Sequence, residues 1–316
     1  MSNHISISLL QFTVMLKPIS LLLHSFLLLV LIGSFSSIVY YIKNEPGVSA
    51  APAATYLPET VPTFAPTAVS TPTSVPRLSP AAQTIPNAGW SMLRRGLERR
   101  VIDIYNAQNQ RVESLYIWRL DQKYFRLDVA HEEWPKSLVT WQAETNAAIV
   151  LNGGYYSIDN ERYFPDGLTI VDGRASGRSF NGFGGMLAIE QSGAELRWLV
   201  EKPYDSYESL HAALQAFPIL VKPGGQLGFG AERENHVQAR RTVIAQDRDG
   251  RILLMVAPQG YFTLHQLSVY LTESDLDLDI AVNLDGGGST GILVANPREL
   301  ISPTRPIPFV ILVYPR

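Results

Sequence analysis

Asn283 to Thr290 form the stretch whose residue types and spacing best suit chemistry. Their sequence, NLDGGGST, follows the apolar run Ile280 to Val282, which predicts a buried strand. Three glycines would let backbone N–H groups approach an anion closely. Asp285 adds a carboxyl group that can act as an acid, a base or a metal ligand. A tight turn capped by Asp285 is the alternative, and the stretch taken alone favours that turn; its functional interpretation depends on a partner motif earlier in the chain.

A second strand end combines glycines with polar and aromatic side chains. The apolar run Ala147 to Leu151 predicts a buried strand, and Asn152-Gly153-Gly154-Tyr155-Tyr156 follows it. Asn152 can donate and accept hydrogen bonds, and Tyr155 can stack on a sugar ring or bond through its hydroxyl. A hairpin turn flanked by core aromatic residues is the alternative interpretation.

A third candidate is Arg241, a charged residue that opens the apolar strand Thr242 to Ala245. A guanidinium at that position could grip an oxyanion with two parallel hydrogen bonds. An exposed arginine at a strand end is the structural alternative.

The sequence lacks the residues that several other catalytic or binding chemistries require. The chain has no cysteine, no GxSxG nucleophile motif and no GxxxxGK[ST] phosphate loop. The histidines of the globular part show no metal-ligand spacing; they are His131, His211, His236 and His265. We therefore predict no metal and no cofactor. The net charge of −3 argues against a nucleic-acid partner.

The N-terminal part predicts membrane attachment. Residues 19–42 contain no charged side chain and are long enough to cross a bilayer as a helix. We expect an uncleaved anchor there, preceded by a cytoplasmic segment at residues 1–18. A cleaved signal peptide is the alternative, since Val48-Ser49-Ala50 resembles a cleavage site. Either way, the remainder would lie on the extracytoplasmic side, in the cell envelope.

Residues 43–89 predict a disordered linker rich in proline and threonine. Nine prolines and seven threonines fall between Pro46 and Pro86, where only Glu59 and Arg77 are charged. Such a segment cannot bury enough apolar surface to fold, so it reads as a stalk. Residues 90–316 are then long enough for one domain with a substantial core.

The patterns in that domain favour the α+β class, as a single mixed-sheet domain with a few helices. Hairpins are predicted for 100–119 and 241–257, where turn residues separate β-rich runs, and closing strands are predicted at 291–294 and 308–314. Helices are predicted at 134–145, weakly, at 205–217 and from Thr263 to about Thr272, the second with a capping box of Asp205 and Glu208 and the third with one of Thr263 and Gln266. The last of these would link two strands in a crossover, with the Asp285 loop beyond the second strand.

Taken together and in this order, NGGYY, RRTVIA and NLDGGGST resemble the phosphodiester glycosidase family. The resemblance extends from about Leu97 to Val313 and includes PDGLTIVDG at 165–173 and GFGGMLAI at 182–189. It implies hydrolysis of a sugar joined through its anomeric carbon to a phosphodiester. A carbohydrate or phospho-sugar substrate is therefore expected, together with membrane contact through residues 19–42.

The candidate site residues follow from matching these motifs. We expect Asp285, Arg241 and Asn152 to be catalytic, because glycoside cleavage commonly needs a carboxyl group beside the anomeric carbon. Arg241 and the N–H groups of the glycine loop would hold the departing phosphate, and Asn152 and Tyr155 would orient the sugar. The expected substrate-binding residues are Gly153, Gly154, Tyr155, Thr242, Gly286, Gly287, Gly288 and Ser289.

Departures from the family pattern keep a second hypothesis open. Ala245 stands where a glycine is common, Ala257-Pro258 where Asp-Gly is common, and Gln266 where a glutamate is usual. If acid or base groups were lost with them, the domain would be a non-catalytic carbohydrate-binding or envelope-organising module. A purely structural stalk protein is the weakest hypothesis, since glycine-rich strand ends are poor structural choices without a ligand.

Overall fold

A computed structural model describes residues 89–180, 182 and 184–316. They form a mostly β-sheet domain with two α-helices, in keeping with the predicted class. The helices are α1 (Leu138–Thr145) and α2 (Leu264–Glu273). The strands are β1 (Ser91–Arg94), β2 (Leu97–Tyr105), β3 (Arg111–Leu120), β4 (Phe125–Lys136), β5 (Ile149–Asn152), β6 (Tyr156–Asp159), β7 (Arg162–Pro165), β8 (Thr169–Val171), β9 (Arg174–Ser176), β10 (Gly185–Ile189), β11 (Ala194–Trp198), β12 (Ala212–Ala216), β13 (Ile219–Lys222), β14 (Gln226–Leu227), β15 (Arg241–Asp247), β16 (Ile252–Ala257), β17 (Leu278–Asn283), β18 (Ile292–Val294), β19 (Glu299–Ile301) and β20 (Ile307–Pro315).

The largest sheet contains both predicted hairpins. Its order is β1-β2-β3-β16-β15-β17-β13-β14, with β2–β3 and β15–β16 as the hairpin pairs. Strands β16 and β17 both pair antiparallel with β15, one on each side, so they run parallel to each other. Helix α2 connects them, which confirms the predicted strand–helix–strand crossover.

Two five-stranded sheets and one hairpin complete the domain. One sheet has the order β19-β18-β5-β20-β4, and the other β11-β10-β12-β8-β9. The hairpin pairs β6 with β7. The predicted closing strands at 291–294 and 308–314 are β18 and β20, which lie on either side of β5.

The central strands of the large sheet are buried on both faces. Successive side chains along a strand point to opposite faces, so neighbouring residues pack into different clusters. Ile244 and Leu254 belong to a core cluster that draws residues from all three larger sheets. Their neighbours Val243 and Leu253 point to the opposite face, where they share a cluster with Leu267 of α2. This packing fixes β15 and β17, the two strands that lead to the candidate site.

The helix predicted at 205–217 is wrong. Asp205 and Glu208 do form the expected local bonds, since Asp205 N donates to Glu208 Oε1 at 2.9 Å, but these close a turn. Residues 212–216 form β12, paired with β10 and β8 and buried throughout. Sheet pairing on both sides outweighs the helical spacing of the apolar residues.

The weak helix predicted at 134–145 is shorter than expected. Strand β4 continues through Lys136, and α1 begins only after Ser137, whose hydroxyl caps it by accepting a bond from Thr140 N.

The N-terminal predictions lie outside the described residues. These are the cytoplasmic segment at 1–18, the anchor at 19–42 and, apart from Gly89, the linker at 43–89. Among the residues that are described, no helix is long and apolar enough to cross a membrane.

Candidate active site

Asn152 joins the strand ends that carry the three motifs. It ends β5 and is fully buried. Its Nδ2 donates to the main-chain oxygen of Asp285 at 2.7 Å. Its Oδ1 accepts bonds from Thr242 Oγ1 at 2.8 Å and from Gly291 N at 3.0 Å. The side chain therefore ties the end of β5 to β15, to the residue before β18 and to the Asp285 loop. The predicted contact of Asn152 with a sugar stays a prediction.

Gly153 and Gly154 allow the chain after β5 to lie against its neighbours. Gly153 O accepts a bond from Asp285 N at 3.1 Å, which is a second link to the Asp285 loop. An added Cβ would lie 3.2 Å from Phe309 Cβ at Gly153, and 3.0 Å from Leu214 Cδ1 at Gly154. Close packing within the protein is therefore sufficient to explain both glycines.

Tyr155 braces the same region. Its ring stacks on Phe217 with centroids 4.5 Å apart. Its hydroxyl donates to Phe217 O at 2.8 Å and accepts a bond from Asn283 Nδ2 at 2.6 Å. Stacking of Tyr155 on a sugar stays a prediction.

The glycine loop after β17 is held by its own N–H groups. Gly287 N donates to Arg240 O at 2.8 Å, and Ser289 N donates to Gly286 O at 3.1 Å. Gly287 has a φ of +57°, which favours glycine, and an added Cβ at Gly288 would lie 2.5 Å from Arg305 Nε. Binding of an anion by this loop stays a prediction.

Asp285 is a partly buried carboxyl group with a shifted pKa. Burial raises its pKa to about 6, and the negative charge of Asp166 adds to the rise. Hydrogen bonds from Ser289 and from the Gly286 N–H oppose it, as does the positive charge of Arg305. A carboxyl group with this pKa can exchange a proton near neutral pH.

Arg305 and Asp166 are site residues that the sequence did not single out. Arg305 hydrogen-bonds to Tyr156 and interacts electrostatically with Asp285 and Tyr163. Asp166 follows β7, and its N–H donates to Tyr155 O at 3.1 Å. Arg305 precedes strand β20, as Arg241 opens β15, and this is the only sequence signal that could have found it. Asp166 lay in the PDG turn of the family resemblance.

Arg241 lies among backbone carbonyls. It is 8% exposed; its Nε donates to Phe262 O at 3.1 Å and its Nη2 to Val237 O at 2.7 Å. Burial lowers its pKa, while Tyr155 and Glu234 act in the opposite direction. These hydrogen bonds tie Arg241 to the segments that precede α2 and β15, and its convergence with Asn152 and Asp285 on one site stays a prediction.

The three departures from the family pattern have structural roles here. Ala245 and Ala257 are fully buried in the β15–β16 ladder, where Ala257 pairs with Arg241. Gln266 completes the predicted capping box of α2 with Thr263. None of the three carries a carboxyl group, so any second carboxyl of the site must come from elsewhere.

The pKa of Asp285 predicts a pH-dependent effect on stability. Because the folded-state pKa of about 6 exceeds the ordinary 3.8, the folded protein binds this proton more tightly than the unfolded chain. That contribution, about 3 kcal/mol in full, is present below pH 3.8 and is lost as the pH rises through 6. We expect Asp285→Asn, which resembles the protonated form, to raise the free energy of unfolding more at pH 8 than at pH 4. Urea unfolding at both pH values measures this, and equal effects at both would contradict a raised pKa.

The model of the phosphodiester glycosidase family matches residues 145–314, more than half of the chain. The chain belongs to the phosphodiester glycosidase family, as the motif resemblance implied.

Solved structures share the fold. One is the zebrafish N-acetylglucosamine-1-phosphodiester alpha-N-acetylglucosaminidase catalytic domain, auto-inhibited by its pro-peptide. It has 19% identity and a TM-score of 0.53, over 73% of this chain and 87% of that one. A hypothetical protein from Synechocystis has 13% identity and a TM-score of 0.54, over 70% and 62% respectively. At these identities the likeness concerns the fold alone. No curated protein matches this chain significantly.

Proposed function

We propose that this protein is a glycosidase that hydrolyses a sugar-1-phosphodiester or a related envelope-glycan linkage. Membership of the phosphodiester glycosidase family supports the reaction class. The observation that carries the proposal is the partly buried Asp285 carboxyl group just after β17, whose pKa burial raises to about 6 and which interacts with the charge of the Arg305 guanidinium. The position of the domain on the extracytoplasmic side, anchored through residues 19–42, is part of the proposal and rests on the sequence.

In the proposed reaction the bond between C1 of the sugar and the phosphate oxygen breaks. Asp285 donates its proton to that oxygen, so the phosphate leaves as a monoester. Water adds to C1 and loses a proton, which gives the free sugar. The departing phosphate is already a good leaving group, so binding its charge contributes as much as protonating it.

Two guanidinium groups are proposed to face that phosphate. Arg241 was expected from the sequence, and Arg305 interacts with Asp285 directly through its charge. Since Arg241 already donates to the carbonyl oxygens of Phe262 and Val237, we assign the main phosphate contact to Arg305. Asn152 and Thr242 would position the Asp285 loop through their mutual bond.

The proposal is tested with the full-length protein and N-acetylglucosamine joined through C1 to methyl phosphate, in both anomeric forms. Release of free sugar and methyl phosphate is the expected result. A methyl glycoside of the same sugar, which lacks the phosphate, serves as the matched control and should react far more slowly. Binding of the phosphodiester without cleavage would instead favour the carbohydrate-binding module.

Replacing the two arginines separates their roles. Arg305→Lys keeps the charge but loses the planar fork, and we expect it to raise KM for the phosphodiester about tenfold. Arg241→Lys should raise KM less and lower the free energy of unfolding, because it breaks bonds to Phe262 and Val237. Steady-state kinetics and urea unfolding of both variants measure this. The opposite order of KM effects would return the phosphate contact to Arg241.

A further inference from the structure

Two carboxyl-bearing residues are fastened to one short segment of the chain. Asp285 N donates to Gly153 O, and Asp166 N donates to Tyr155 O, both at 3.1 Å. The two anchoring carbonyls are therefore only two residues apart, just beyond the end of β5. The loops that carry Asp166 and Asp285 are far apart in sequence, yet they meet at this segment.

Hydrogen bonds and close packing hold the chain on both sides of Asp166. On its C-terminal side, the buried amide of Gln215 accepts bonds from Leu168 N at 3.2 Å and from Phe180 N at 3.0 Å. An added Cβ at Gly167 would lie 3.1 Å from Gln215 O. On its other side stands the β6–β7 hairpin, whose Ser157 hydroxyl donates to the Asp166 carboxylate. A group fixed in this way can be held in a reactive geometry.

Other acidic groups near the site are occupied by structural bonds. The buried carboxylate of Glu113 accepts bonds from the N–H groups of Gln259, Gly260 and Tyr261. Glu234 accepts bonds from the Thr263 hydroxyl and from His265 N, at the start of α2. By contrast, the Asp166 carboxylate accepts a bond from the Ser157 hydroxyl and interacts through its charge with Asp285.

We propose that Asp166 is the second carboxyl group of the active site, acting as the base opposite Asp285. This rests on the proposed glycosidase function. Asp166 takes a proton from the attacking water as its oxygen bonds to C1, while Asp285 gives its proton to the departing phosphate oxygen. The products are the free sugar and a phosphate monoester, and proton exchange with solvent restores both carboxyl groups.

The charges around the pair fit this division of roles. Arg305 packs against Gly288 of the Asp285 loop and its charge acts on Asp285, so the phosphate and the acid belong on the same side of the sugar. Tyr156 and Tyr163, on the hairpin that precedes Asp166, also interact with Arg305. Burial raises the pKa of Asp166, although the hydrogen bond from the Ser157 hydroxyl opposes the rise. The raised pKa makes the Asp166 carboxylate a stronger base.

The first experiment compares Asp166→Asn with Asp159→Asn in the full-length protein. Asp159 is an exposed carboxylate in the same hairpin, so its replacement controls for charge and for folding. Asp166→Asn is expected to lower kcat by about 10²–10⁴ with little change in KM, and to remove the acidic limb of the pH–rate profile. Added azide should restore reaction by attacking C1 itself, which yields a glycosyl azide and the phosphate monoester. Unchanged kcat in Asp166→Asn would overturn the assignment.

A second measurement does not depend on turnover. If the two carboxyl groups share one site, removing the Asp166 charge must lower the pKa of Asp285. NMR titration of ¹³C-labelled aspartate carboxyl groups in wild type and Asp166→Asn measures this, with Asp159→Asn again as the control. An Asp285 titration unchanged by Asp166→Asn overturns the pairing even if wild type cleaves nothing. A wild type that cleaves nothing but shows the coupled titration refutes the proposed hydrolysis and leaves the pair in place.

Discussion

Asp285→Asn is expected to lower turnover of a sugar-1-phosphodiester by about 10²–10⁴ while the protein stays folded. Asparagine keeps the shape of the side chain and can still accept the bonds from Ser289 and the Gly286 N–H. It has no proton to give to the departing phosphate oxygen. Steady-state release of free sugar, measured below pH 6, where the wild-type carboxyl group is protonated, gives the size of the effect.

Asp277→Asn is the matched control for that experiment. Asp277 lies just before β17, is exposed and has a φ of +53°, a conformation that asparagine also adopts readily. Its turnover should equal that of wild type. If Asp285→Asn were as active as this control, Asp285 would not be the acid, and the proposed mechanism would be wrong.

Asn152→Ala is expected to lower the free energy of unfolding by about 3 kcal/mol. The change removes both the donor and the acceptor from a fully buried position. It leaves Asp285 O, Thr242 Oγ1 and Gly291 N without their partner. Because the same bonds position the Asp285 loop, kcat should fall as well. Urea unfolding and kinetics of the purified variant measure both effects.

Thr242→Val provides a graded comparison for Asn152→Ala. It removes a single bond to Asn152 Oδ1 and keeps the volume of the side chain, so the loss of stability should be smaller, about 1 kcal/mol. An Asn152→Ala variant as stable as Thr242→Val would show that the Asn152 network contributes little to holding the strand ends together.

Local patterns were sufficient to predict much of this fold. The hairpins of β2–β3 and β15–β16 have turn residues between β-rich runs, and these determine the structure directly. The capping box of α2 could also be predicted from the sequence, because its hydrogen bonds join residues three positions apart. The helix prediction for 205–217 was wrong because apolar residues at helical spacing also suit a strand buried on both faces. Only pairing with the neighbouring strands determines which of the two structures forms.

The candidate site was predictable only in part, because its contacts are long-range. Asn152 and the Asp285 carbonyl are 133 residues apart in sequence, and only the glycine-rich motifs on both sides marked them. Arg305 stands between prolines in a loop with no such motif. Asp166 looked like an ordinary turn residue. Their electrostatic interactions with Asp285 arise from the way the loops meet, which no local pattern encodes.

The central claim is that the bond between sugar C1 and the phosphate oxygen is the one that breaks. Hydrolysis of the sugar-1-phosphodiester in ¹⁸O-labelled water tests this directly, with mass spectrometry of both products. We predict that the label enters the free sugar and that the phosphate monoester stays unlabelled. Label in the phosphate would mean cleavage of the phosphorus–oxygen bond, and would contradict a glycosidase mechanism centred on Asp285.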